Sequence, residues 1–153
     1  MKKIVWLTMV IIGMISVSCE KYEDGRPSKD VRSEFERMYP DARDVEWEPE
    51  GGYWKVSFET GRNPDRLDHQ AWYDRNGEWV RTETDVYLSN VPQRIKDLLE
   101  ASEYGSGMVD GSDVDHVQSP QREYYRFKVN IDGRTVYVNV SEDGTVTTGN
   151  LDW

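Results

Sequence analysis

The chain has 153 residues, 31 % charged and 12 % aromatic, with a formal net charge of −10. That length holds one domain or two small units sharing a core, and the aromatic side chains are enough to fill it. The acidic balance repels phosphate backbones and excludes nucleic acid as a partner, while a single cysteine excludes intrachain disulfides and cysteine-based metal sites.

Met1-Lys2-Lys3 is basic, and Ile4 to Ile15 is an apolar run too short to span a bilayer, which takes about 20 residues. The following Ser16-Val17-Ser18-Cys19 resembles the lipobox of bacterial lipoproteins, with Ser16 where leucine is usual. The resemblance implies a signal peptide at 1–18 and cleavage before Cys19. It also implies lipid on the Cys19 thiol and on the new amino group, so that the membrane is met through the lipid anchor alone. Loss of Lys2 and Lys3 with the leader moves the formal charge from −10 to −12. Residues 19–27 read as an acidic tether. Its start, Glu20-Lys21-Tyr22-Glu23-Asp24, resembles the export tag that sends some lipoproteins of one Gram-negative phylum to the outer leaflet. The expected location is the outer membrane, lipid-anchored, periplasmic or surface-exposed, with the acidic stretch favouring the surface.

From Ser28 the spacing becomes helical. Val31, Phe35 and Tyr39 recur every four residues, Ser28 is an N-cap, and Pro40 closes the helix. Val45 and Trp47 then alternate with acidic residues as a half-buried strand, and Pro49 to Gly52 reads as a turn. Trp54, Val56 and Phe58 face one way, against Tyr53, Lys55, Ser57 and Glu59. After a loop at Gly61 to Asp65, Leu67, His69, Ala71 and Tyr73 form the next inward row. Asn76-Gly77 is a tight-turn signal, and a fourth strand runs from Glu78 to about Val86 with ambiguous facing.

The order then returns. Val91, Ile95 and Leu99 give a second amphipathic helix, with Pro92 in its first turn. Val114 and His116 echo Val45 and Trp47. Tyr125, Phe127, Val129 and Ile131 echo the Trp54 row, Asp132-Gly133 turns into Val136, Val138 and Val140, and Asp143-Gly144 closes the last hairpin. The stretch Ser102 to Ser112 reads as the loosest loop. The expected fold class is α+β, a tandem repeat of one helix plus a four-stranded antiparallel meander, with units at 28–88 and 89–153. One helix per four strands covers one face of the sheet only. The other face is expected to be open and to carry Glu46, Glu48, Tyr53, Lys55, Glu59, Gln70, Trp72, Tyr124, Arg126, Lys128, Tyr137 and Asn139.

Several of these segments resemble one family. Met38-Tyr39-Pro40-Asp41-Ala42, Val45-Glu46-Trp47, Tyr53-Trp54-Lys55-Val56, Ala71-Trp72-Tyr73-Asp74 with Gly77 and Trp79, and Val91-Pro92 are similar to the PepSY-like family. Its members are small exported bacterial proteins described as β-lactamase-inhibitor-like. The resemblance covers most of Asp30 to Val146 and implies tandem helix-plus-sheet units, no cofactor and no established activity. It assigns no residue a role.

Catalytic patterns are weak. Glu46 and Glu48 project from one face like paired glycosidase carboxylates, but a flat sheet supplies no pocket to raise one pKa. No Gly-x-Ser-x-Gly elbow occurs, and Gly105-Ser106-Gly107 lacks the third glycine of a phosphate loop. Asp110 to Asp115 fails the EF-hand pattern and reads as a solvated acidic turn, and the two histidines, His69 and His116, read as packed rather than metal-binding. The expectation is therefore no enzyme and no metal. The expected function is a non-catalytic envelope lipoprotein whose open sheet face binds an unknown envelope protein in an inhibitor-like way. The alternative is a carbohydrate-binding surface lipoprotein in which Trp72 and the tyrosines stack on a glycan. In either case the expected contact residues are Tyr53, Trp72, Tyr124 and Tyr137, rimmed by Lys55, Arg126 and Lys128.

Overall fold

The structure, a computed structural model, describes residues 26–149. The expected signal peptide, Cys19 and the tether up to residue 25 lie outside the described residues, as do residues 150–153. The elements in order are α1 (Lys29–Met38), β1 (Arg43–Glu50), β2 (Tyr53–Thr60), β3 (Leu67–Tyr73) and β4 (Trp79–Val86). After a short 3₁₀ turn at Leu88–Asn90 come α2 (Gln93–Ala101), β5 (Met108–Gln118), β6 (Glu123–Ile131), β7 (Arg134–Val140) and β8 (Val146–Thr148).

All eight strands form one antiparallel sheet in sequence order, unclosed, with β1 and β8 at its edges. Register carries facing from strand to strand. Phe58, His69, Thr84, His116, Tyr125 and Val140 form one cross-strand row on one side. Asp85, Asp115, Arg126, Asn139 and Thr147 form a row on the other.

Both helices pack on the first side. Ser28 caps α1 by accepting from the Val31 N–H at 3.4 Å. Val31 and Phe35 of α1 join Trp54, Val56, Phe58, Ala71 and Tyr73 in one core cluster. Ile95 and Leu99 of α2 join Val114, Phe127, Val129, Val138 and Val140 in another. At the β3–β4 turn, Gly77 has φ +93°, and a Cβ there would come within 3.2 Å of the Val31 nitrogen, so the first turn of α1 rests directly on the hairpin.

Four local expectations change. β1 runs through Pro49, which pairs with Trp54, and only Gly51 and Gly52 turn. An edge strand tolerates proline because the missing N–H can face solvent. Val45 is exposed rather than inward, because the register shifts between Arg43 and Glu46 around Asp44 at φ 51°. Such a bulge re-aims the side chains beside it. Pro92 is the cap residue of α2 and stands just before its first turn. Finally, residues 108–112 belong to β5 rather than to a loop: Val109 pairs with Val129 and packs against the core, and the chain bulges between Val109 and Val114.

Candidate binding face

β4 builds the centre of the helix-free side. Thr82 and Thr84 are buried on the helix side, so Arg81, Glu83 and Asp85 alternate onto the other. Arg81 Nη2 lies 3.2 Å from Glu83 Oε1. Arg126 Nη1 lies 3.5 Å from the same oxygen and 3.4 Å from Asp115 Oδ2. Arg126 Nη2 donates to the Tyr124 hydroxyl at 3.3 Å, and the Arg81 guanidinium sits 4.2 Å over the Trp72 ring. Burial works against the charge on both arginines. For Arg126 the neighbouring Glu83, Tyr124 and Asp115 outweigh it and hold the pKa above the usual value, whereas for Arg81 burial wins and lowers it. Both stay cationic at neutral pH.

This arrangement corrects the expected aromatic surface. Trp72 and Tyr124 are each 3 % exposed and Arg126 is 8 % exposed, although no described helix packs on their side of the sheet. Long charged side chains lie along the sheet and cover the rings beside them. Tyr53, half-buried beside the β1–β2 turn, and Tyr137, 40 % exposed, keep the expected partial exposure. The four rings do not form one group. Tyr53 and Trp72 stand on β2 and β3, Tyr124 and Tyr137 on β6 and β7, with β4 and β5 between them. The Trp72 face needed for stacking on a sugar is occupied by Arg81.

The rim cations are paired. Lys55 Nζ lies 2.5 Å from Glu48 Oε1 and 3.1 Å from Glu50 Oε2, and these contacts raise its pKa. Lys128 stands 3.9 Å from Asp110, whose carboxylate also accepts from the Ser112 N–H and hydroxyl, so the acidic turn at the β5 bulge is closed on itself.

Two exposed side chains on this side escaped the sequence reading. Tyr87, 62 % exposed, continues the β4 alternation one residue past Val86, which packs on the helix side. Met108, 76 % exposed, precedes the core residue Val109 and pairs with Asn130. With Tyr137, paired to Lys128, they stand at one end of the helix-free face. The signal was present as alternation, but it ran beyond the apparent end of one strand and into a stretch that looked like loop. Towards β1 the same face carries a hollow of about 330 Å³ whose lining includes Asp44, Glu46, Glu59, Asp68 and Asp85. Arg66 is 3.3 Å from Glu59 and 3.9 Å from Asp68.

His69 lies on the helix side between the Thr60 and Thr84 hydroxyls, at 2.7 and 2.8 Å, and stacks on Phe58. His116 meets Glu123 at 2.6 Å and stacks on Tyr125. Among the described residues no group of three or more His, Cys, Asp or Glu is placed to hold a metal ion, and no helix is long and apolar enough to cross a membrane.

Residues 52–147 match the family described as "Putative beta-lactamase-inhibitor-like, PepSY-like". Among solved structures, a BLIP-like protein from Bacteroides fragilis is similar at 24 % identity and TM-score 0.71, over 84 % of this chain and 93 % of that one. A DUF2874 family protein from Bacteroides uniformis is similar at 26 % identity and TM-score 0.66, over 79 % and 86 %. A Bacteroides eggerthii structure described as "putative periplasmic proteins" is similar at 24 % identity and TM-score 0.65, over 81 % and 90 %. A search of curated proteins found no match. An unclosed antiparallel sheet carrying both helices on one side, together with a family match across more than half of the sequence, makes this chain a member of the PepSY-like family.

Proposed function

We propose that the protein is a non-catalytic, inhibitor-like module of the cell envelope that holds another protein against the helix-free face of its sheet. One observation carries the reading: Tyr87, Met108 and Tyr137, three of the four exposed large hydrophobic side chains among the described residues, stand on that face. Exposed apolar groups gathered on one side mark an interaction surface. The likeness to a BLIP-like protein supports an inhibitor-like role, and the relative described as periplasmic supports an envelope location. Lipid on Cys19 would hold the module at the outer membrane, as the leader suggests. The order of one helix and four strands, occurring twice, supports two copies of one unit. Glu46 and Glu48 stand on an exposed edge strand, and Glu48 is engaged by Lys55, which is not the desolvated setting of a general acid.

Site-directed photocrosslinking in envelope extract tests this reading. A benzoylphenylalanine replacing Tyr137 is expected to give discrete protein adducts, and one replacing Glu36, exposed on α1, is expected to give none. Equal adducts from both positions, or none from Tyr137 with binding to a glycan array instead, would overturn it.

A further inference from the structure

The helix-free face has two chemically different parts along one end of the sheet, and together they specify a partner. Just past the end of β4, and on β5 and β7, stand the exposed Tyr87, Met108 and Tyr137, with Lys128 and Asn130 of β6 between the last two. On β1 to β4 the same end carries the hollow whose lining includes Asp44, Glu46, Glu59, Asp68 and Asp85, with Arg66 near Glu59 and Asp68 and Arg43 opposite Glu59 in the register. Asp85 joins the two parts, lying two residues before Tyr87 on the same strand side.

Resting on the binding-face reading above, we infer that the occupant is a basic, apolar polypeptide segment lying across the strands. Its lysine or arginine side chains enter the carboxylate hollow, and its aliphatic or aromatic side chains cover Tyr87, Met108 and Tyr137. Charge complementarity sets the choice of partner and its orientation. The apolar end supplies area that leaves water on binding. From β2 to β7 is five strand spacings, about 24 Å, which is the length of about seven extended residues. An acidic segment, or a second copy of this chain with its own negative charge, meets the hollow with like charge.

The experiment measures binding of three eight-residue probe peptides to the full chain by calorimetry: alternating Lys-Leu, alternating Lys-Ser and alternating Glu-Leu. The Lys-Leu peptide is expected to bind at least tenfold tighter than either of the others. Tyr87→Ser with Met108→Ser should bring the Lys-Leu peptide down to the Lys-Ser level. Glu46→Gln with Asp68→Asn should weaken both lysine peptides at least fivefold, and Glu36→Gln on the outer side of α1 should leave every affinity unchanged. The unfolding midpoint of each variant is measured as well, and affinities are compared where all variants are folded, so that loss of fold is separated from loss of contact. Equal affinity for the Lys-Leu and Lys-Ser peptides would overturn the inference, because diffuse charge alone would then explain binding. So would weakening by Glu36→Gln equal to that by the hollow pair, or a chain dimer that Met108→Ser dissolves. Peptide failure with Tyr137 crosslinks retained sinks only the chemistry of the occupant. Failure of both sinks the binding face with it.

Discussion

The two halves of the helix side are packed with different chemistry. Under α1 the core is aromatic: Phe35 meets Phe58, Trp47 and Tyr73 edge-on at 5.0, 5.3 and 6.4 Å, and Tyr39 lies 4.6 Å from Phe58. Under α2 it is mostly aliphatic, with Val114, Val129, Val138 and Val140 around Ile95, Leu99 and Phe127. Rings with polar tips need partners when buried. The first half accordingly has a hydrogen-bonded layer that no aliphatic core requires. Thr82 Oγ1 accepts from Trp79 Nε1 at 2.9 Å and lies 2.6 Å from the Tyr39 hydroxyl, while Tyr73 donates to the Met38 sulfur at 3.6 Å. Burial pushes the Tyr73 hydroxyl pKa far up, so it stays a neutral donor. One backbone plan thus accepts two kinds of filling, and the aromatic kind brings geometric constraints with it.

That contrast can be broken most forcefully at Phe35. Phe35→Ala should cost about 3–5 kcal/mol in chemical denaturation, the usual range for a buried phenylalanine. Combining it with Phe58→Ala should give a loss that departs from the sum, because the two rings touch. Thr82→Val comes next, at about 1–3 kcal/mol, since it removes the acceptor of a half-buried indole N–H and the partner of Tyr39. Ile95→Val in the aliphatic half should cost only about 0.5–1.5 kcal/mol, because no directed contact is lost with the methylene. A Thr82→Val loss no larger than that of Ile95→Val would show that the polar layer is incidental.

The smallest effect expected is the pH dependence that His69 confers. Burial lowers its pKa below 6.5, against a weaker opposing pull from Asp68. The unfolded chain therefore binds the proton first as pH falls. The stability contributed by neutral His69 is complete above about pH 6.5 and is lost as pH falls from there through the folded-state pKa. His69→Gln should flatten that part of the stability-versus-pH curve. An unchanged slope would assign the acid sensitivity elsewhere.

Much of this was legible in the sequence, for reasons the residues make plain. Trp54, Val56 and Phe58 alternate with polar neighbours, so their facing follows from period two alone, and Val31 and Phe35 recur at helical spacing. The helix-free face was read less well. Alternation says which side a residue takes, but it is silent on whether a neighbour lies across it. Trp72 and Tyr124 were placed on the correct side and still proved buried, because Arg81 and Arg126 lie beside them. The side that Arg81 takes is not legible in the sequence because β4 turns threonines, not apolar residues, towards the helices, where Tyr39, Trp79 and His69 bond to them.

The edge formed by β1 has a bearing on crowding. An unclosed sheet offers its last strand as a template on which another chain can add, and molecules held close together would meet such edges often. Here the edge is interrupted at one end by the bulge at Asp44 and near the other by Pro49, which has no N–H to donate, and Glu46, Glu48 and Glu50 line it with negative charge. Two copies brought edge to edge would align carboxylates against carboxylates along a strand that cannot complete its ladder. At this edge, high local density is therefore compatible with separate, folded molecules.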